Sequence, residues 1–220
     1  MAELNIAEKL FILSIEDDGG KISATAQATL RYGLAGAILA ELAIEHRLYL
    51  ISDENRLGLA NSKPMGHPIF DEVLKDISAE SKPRKIGHWI DVIGRKRIVR
   101  QVAQCLADHK VIRIEEKRAL WFIPYEVYPG TDASAKFWVK QHLRLIVLAG
   151  EKAGPEDIAL LSLLKACGFL PFLFTRDERQ YAAEQVNKLV AGEVFGQAVS
   201  TLLAEIEAAM IAATMAGISS

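Results

Sequence analysis

Residues Ala24 to Arg47 read as one long helix that is apolar almost all the way round. Leu30, Leu34, Ile38 and Leu42 recur at four-residue steps, and Ala28, Ala37, Ala40, Ala43 and Ile44 fill the other faces. A helix with no polar face cannot lie on a surface. It needs neighbours on every side, so the rest of the chain must supply a bundle around it. Gly33 and Gly36 lower its helix propensity but let a neighbouring helix approach closely.

The remaining sequence offers the neighbours. Leu4–Ile15 predicts a short apolar helix, stopped by an Asp17-Asp18-Gly19-Gly20 turn. Leu48–Ile51 and Arg56–Leu59 predict a small hairpin, and Pro68 opens a helix running to about Glu80. Lys85–Ile93 and Lys96–His109 predict two further helices. Val111–Glu115 and Ala119–Ile123 predict a second, protruding hairpin with Glu116, Lys117 and Arg118 at its tip. Ser134–Leu148, Pro155–Cys167, Arg176–Val190 and Glu193–Ala213 complete a helical C-terminal half punctuated by Gly150, Gly154, Gly168 and Gly192. The expectation is a mainly α, single globular domain over residues 1–220 with two hairpins. A chain of 220 residues buries roughly 70% of its unfolded surface and needs no staples.

Half of the residues are apolar and a quarter charged, which excludes collagen-like and disordered classes. The first ten residues lack the basic and apolar regions of a signal peptide, and no stretch reaches the length of a membrane span. Cys105 and Cys167 are read as small apolar residues of a reducing compartment, with neither a disulfide framework nor a structural zinc site. The expected location is therefore cytoplasmic.

Catalysis finds little support. There is no GxSxG, HExxH, P-loop or dinucleotide-binding glycine motif, and the five histidines are read as solvated or turn residues. No enzyme, cofactor or metal is expected.

Charge is the sharpest compositional feature. The net charge is only −2, yet residues 82–100 carry Lys82, Arg84, Lys85, Arg95, Lys96, Arg97 and Arg100 against Asp91 alone. Surfaces built only for solubility intersperse both signs, so an acid-poor run points to an anionic partner. On a helix, Lys96, Arg97 and Arg100 share one arc while Ile98, Val99, Val102 and Leu106 face the other way. Lys82, Arg84 and Lys85 add a supporting field, with Trp89 nearby. Membrane phosphates attract such clusters with about 1 kcal/mol per cation. Duplex DNA is the rival partner, met by a winged helix with Lys117 and Arg118 as the wing tip. It is disfavoured because Gln101 and Gln104 are the only amides available to read bases. The aromatic run from Leu120 through Trp121 and Phe122 to Tyr125 either packs beneath the C-terminal helices or makes a membrane or oligomer contact. A homo-oligomeric scaffold built on that hairpin, with no lipid role, is the third reading.

The block from Leu4 to Leu50 resembles the N-terminal block of the Golgi phosphoprotein 3 (GPP34) family. The likeness rests on the Asp17–Gly20 turn, the Gly33-Leu34-Ala35-Gly36 step, Ala40-Glu41-Leu42-Ala43 and Arg47-Leu48. A second block, Val102–Leu106 to Val111-Ile112, is similar to the family as well. The resemblance implies a mainly α fold with a protruding hairpin and a non-enzymatic, peripheral membrane protein on the cytosolic face. It further implies recognition of phosphatidylinositol 4-phosphate, binding of glycosyltransferase tails as protein cargo, and self-association. Of the family's head-group pocket, the Trp falls near Thr25 or Ala26, and the Arg of the Gly-Leu step is Ala35. The later Arg pair falls at Lys96 and Val99, or at Arg97 and Arg100. Arg31, one turn before Ala35, supplies a substitute cation, so the head-group residues are expected to be Arg31, Lys96, Arg97 and Arg100. The short N-terminal part fits a compact, bacterial-type relative.

Overall fold

The computed structural model describes residues 3–51, 54–95, 97–119, 122–131, 133–191 and 197–218. Among these residues it is mainly α, with ten helices, a three-stranded sheet and a two-stranded hairpin.

Helix α1 (Ile6–Ser14) opens on a capping box, in which the Asn5 side chain accepts from the Glu8 amide and the Glu8 carboxylate accepts from the Asn5 amide. The following turn is closed by a bridge between Ile15 and Ile22 and contains Gly19 and Gly20, both at positive φ. Helix α2 (Ala24–Ile44) is capped by Ser23 and runs through the middle of the molecule. Leu30, Leu34, Ala35, Ile38, Leu39 and Leu42 are all buried, as an all-round apolar helix requires. Full burial of each Leu or Ile contributes roughly 1.5–3 kcal/mol. Its glycines do sit at close approaches. A Cβ on Gly33 would lie 2.6 Å from the Cys167 sulfur, and one on Gly36 would lie 3.0 Å from Leu163.

Strands β1 (Leu48–Ile51) and β2 (Arg56–Leu59) form the expected first hairpin, but it is not two-stranded. Strand β3 (Arg84–Lys85), read from sequence as a loop and a helix start, pairs antiparallel with β2. Between them lies α3 (Pro68–Ala79), whose Ile69, Phe70, Val73, Leu74 and Ile77 turn inward. Helices α4 (Ile86–Arg95) and α5 (Ile98–Asp108) follow, each with one buried apolar stripe.

The second hairpin is shifted from its expected register. Strand β4 (Glu115–Ala119) pairs with β5 (Ile123–Val127), so Glu116, Lys117 and Arg118 lie in a strand and not at the tip, and Phe122 lies in the turn. The base of the hairpin decides this. Ile112 bridges Gly130, and this alignment buries Ile112, Val127 and Tyr128 together, with Tyr128 set edge-on to Phe11 of α1. One register keeps these side chains inside; a slip by one residue would turn them outward.

Helices α6 (Ala133–Ala149), α7 (Pro155–Ala166), α8 (Leu170–Leu173), α9 (Arg179–Ala191) and α10 (Gln197–Ile218) complete the bundle. The short α8 falls between Cys167 and Arg176, where the sequence predicted no element. A single contiguous cluster of buried side chains, reaching from Leu4 to Met210, forms the core around α2. Among the described residues no helix is long and apolar enough to cross a membrane.

Candidate functional site

The junction between α4 and α5 is built by two apolar stripes. Trp89, Ile90 and Ile93 of α4 and Ile98, Val102 and Leu106 of α5 are buried, which holds the chain between them at the surface. Glycine makes the junction fit against α2. A Cβ on Gly94 would come within 3.3 Å of the Tyr32 ring and 3.6 Å of the Arg31 carbonyl oxygen. The end of α4 is thereby set beside Arg31. The Arg31 guanidinium lies 4.4 Å from the Tyr32 ring centre and donates to the Tyr32 hydroxyl, an arrangement that orients an exposed cation on a buried ring.

Helix α5 begins at Ile98, so Arg97 precedes it and does not share a helical arc with Arg100 as expected. Arg97 is the exposed N-cap residue and its side chain caps nothing. Arg100 projects from the first turn, which contains no acidic residue. Cations beside a helix N-terminus oppose its dipole, and among the described residues no side chain is seen to cap that first turn. An anion placed there would meet both the amides and the guanidinium groups. Lys96 lies outside the described residues.

Countercharges sort the cations. Arg100 is paired with Glu126 of β5 at 3.5 Å, Arg95 with Asp91 at 4.0 Å and Arg84 with Glu80 at 3.0 Å. Among the described residues no carboxylate lies within 4 Å of Arg31, Lys82, Lys85 or Arg97. Glu126 also accepts a hydrogen bond from Tyr128 at 2.9 Å, and burial followed by that bond drives the Tyr128 phenol well above its ordinary range. The hairpin is thus coupled to α5 through Arg100, a partnership that no spacing in the sequence announces.

The basic run is divided in space. Lys82, Arg84 and Lys85 stand before the N-terminus of α4 and Arg97 beyond its C-terminus, about 15 Å apart along a ten-residue helix. Arg84 and Lys85 instead join Arg56, His88 and Glu205 around an open cleft of about 550 Å³ between the sheet and α10. They form a second basic surface and do not extend the first.

Of the expected hairpin contact, Leu120 and Trp121 lie outside the described residues, and Phe122 is 74% exposed at the turn. In the Asp17–Gly20 turn, Asp17 pairs with Lys136 of α6. At the far end of α5, Glu8, His67 and Cys105 bring three potential metal-ligating atoms within 4.8 Å of one another. Sequence reading passed over them, although Cys105 and His109 stand at i and i+4 on one helical face.

The family model for Golgi phosphoprotein 3 (GPP34) matches residues 6–206. Among curated proteins the chain is similar to vacuolar protein sorting-associated protein 74 of Schizosaccharomyces pombe. The two are 25% identical over 187 residues, covering 73% of this chain and 55% of the relative. A protein of the same name from Eremothecium gossypii is 24% identical over 183 residues, covering 71% and 54%. The chain spans about half the length of the curated relatives it matches. The match runs from α1 into α10 and takes in the central helix, both hairpins and the α4–α5 junction. The chain belongs to the Golgi phosphoprotein 3 (GPP34) family.

Proposed function

We propose that this protein docks reversibly and without catalysis on anionic phospholipid surfaces, using the α4–α5 junction to receive a lipid phosphate. The observation that carries this reading is Arg97 at an uncapped helix start, free of carboxylates among the described residues, just beyond the end of α4 whose Gly94 packs on Tyr32 and the Arg31 backbone. Arg100 contributes after exchange with Glu126, and Lys96 falls in the same stretch of chain. Lys82, Arg84 and Lys85 add field from the other end of α4. These seven cations near an anionic surface give useful but salt-sensitive attraction, at about 1 kcal/mol or less each.

The family offers phosphatidylinositol 4-phosphate as a lipid, but Ala35 stands at the Arg position of the Gly-Leu step and is completely buried. That position supplies no cation here. Charge, more than head-group stereochemistry, is the proposed basis of recognition. The names of the relatives, which refer to vacuolar protein sorting, agree with a role at the cytosolic face of a membrane.

Co-sedimentation with vesicles at low salt tests this. Binding to vesicles containing phosphatidylserine or phosphatidylinositol 4-phosphate, absent with pure phosphatidylcholine and lost when Lys96, Arg97 and Arg100 are changed to Glu, is expected. Equal binding to anionic and neutral vesicles would remove the reading.

A further inference from the structure

We propose that Glu8, His67, Cys105 and His109 form a binding site for one zinc ion where α1, the start of α3 and the end of α5 meet.

The observation behind it is a pair of buried polar atoms that nothing satisfies. Glu8 is only 2% exposed; its Oε2 accepts from the Asn5 amide at 3.1 Å, while Oε1 makes no hydrogen bond. Nδ1 of His109 stands 3.4 Å from that Oε1 without hydrogen-bonding geometry. Nδ1 of His67 is likewise buried and without a partner. Native interiors rarely tolerate such groups, and an ion or water shared between them accounts for both at once.

The chemistry of the set favours the ion. Ligands held at 2.0–2.3 Å from a tetrahedral zinc lie about 3.3–3.6 Å from one another. Glu8 Oε1 and His109 Nδ1 already have that separation, and the ligand atoms of Glu8, His67 and Cys105 are within 4.8 Å. Side-chain rotations must close the remainder, most of all for His109, which is near Glu8 but outside the 4.8 Å cluster. A thiolate and two imidazoles select against magnesium and calcium. Thiolate, carboxylate and two neutral imidazoles also balance a dication, so the filled site carries no net charge into the interior.

Protons compete with the ion at Cys105 and Glu8, but not at His67. Burial and then the Glu8 charge push the Cys105 thiol up, burial pushes the Glu8 carboxyl up, and burial pushes the His67 imidazole down. A dication favours the thiolate and the carboxylate, and it ligates the neutral imidazole that burial already prefers. Nε2 of His67 lies 3.3 Å from the Asn5 carboxamide. Ligation through Nδ1 places the ring proton on Nε2, and the carboxamide must then turn its oxygen toward it and release the Glu8 amide.

The test is a zinc titration of chelator-treated protein against a chromophoric chelator, repeated with cobalt(II) for its spectrum. One ion per chain is expected, with tetrahedral cobalt bands, a thiolate charge-transfer band, and uptake that tightens as pH rises and the thiol proton is lost. Cys105→Ser should abolish the charge-transfer band, and His109→Ala should weaken zinc binding at least about tenfold. Circular dichroism should show both variants folded; His109 is half-exposed, so its variant tests the site even if the Cys105 variant does not fold. Failure to take up zinc at micromolar concentration, or uptake unchanged in either variant, overturns the proposal.

Discussion

The Glu41 carboxylate accepts the backbone N–H of Ile6 through Oε2 at 2.9 Å, and so ties the last turn of α2 to the first turn of α1. Burial of this carboxyl pushes its pKa up from 4.5 to about 7, against the opposing effect of the Ile6 bond, with Glu156 adding to the rise. The folded state therefore binds an extra proton between those two values. The stability this group contributes is complete below about pH 4.5 and is lost as pH rises through about 7. Glu41→Gln keeps an acceptor for Ile6 and removes the buried charge. It should raise the melting temperature at about pH 8, by on the order of 1–3 kcal/mol of stability, and change little at about pH 5. Thermal melts at the two pH values check it; a variant less stable at the higher pH would contradict it.

Arg144 and Glu178 show the opposite sign. Two parallel bonds of 2.7 Å join the guanidinium of α6 to a carboxylate at the start of α9, which also accepts from the Thr175 amide. The bond from Arg144 holds the Glu178 pKa down at about 2, from 4.5. Stability from this group is present above about pH 4.5 and lost as pH falls toward 2. Glu178→Gln should melt lower than the parent at neutral pH, with the gap narrowing through that acid range. A constant gap across it would show that the charge is not what matters.

Gly20 and Gly19 separate backbone strain from steric clash. Both have positive φ, but a Cβ on Gly19 meets nothing within 4 Å, whereas one on Gly20 would lie 2.4 Å from the Pro129 nitrogen. Gly20 also offers its carbonyl to the Tyr128 amide at 2.7 Å, so the turn is clamped to the base of the hairpin. Gly19→Ala should cost about 1 kcal/mol from conformation alone. Gly20→Ala should cost clearly more, on the order of 2–4 kcal/mol, because backbone atoms must move. Urea unfolding of the two variants measures the difference, and equal costs would mean the Pro129 contact is not rigid.

The two ends of α4 should differ in membrane binding. Arg97→Glu removes a cation at an uncapped helix start, while Lys85→Glu alters a strand residue about 15 Å away. Reversing one charge near an anionic surface should weaken binding by roughly tenfold or more at Arg97 and by only a few-fold at Lys85. Vesicle flotation at fixed salt reads the ratio. Equal losses would mean that diffuse charge, and not the junction, carries the attraction.

The helical architecture was legible because burial and periodicity agree in α2, α3 and α5, where apolar side chains recur at helical steps. Strands β1 and β2 were legible as two short apolar runs separated by a polar turn. What escaped depended on partners distant in sequence. Strand β3 has two residues and exists because Arg56 and Leu57 lie opposite it. The register of β4 and β5 is set by burying Ile112, Val127 and Tyr128 beneath the hairpin, which no local pattern specifies. Within the site, the cationic run was visible as composition. Its division by α4 and the pairing of Arg100 with Glu126 were not, since the first depends on where α4 begins and ends and the second on how the hairpin sits against α5. The Cys105–His109 spacing was readable, but Glu8 and His67 join it only through the packing of α1 and α3.

The most direct test of phosphate binding at the α4–α5 junction is an amide NMR titration with a short-chain anionic phospholipid below its micelle concentration. Saturable shifts concentrated on Arg97 to Gln101, with the Arg31 and Tyr32 signals moving in step, are predicted. Shifts confined to the Arg84–His88 surface, or spread evenly over all exposed basic residues, would contradict a site at the start of α5.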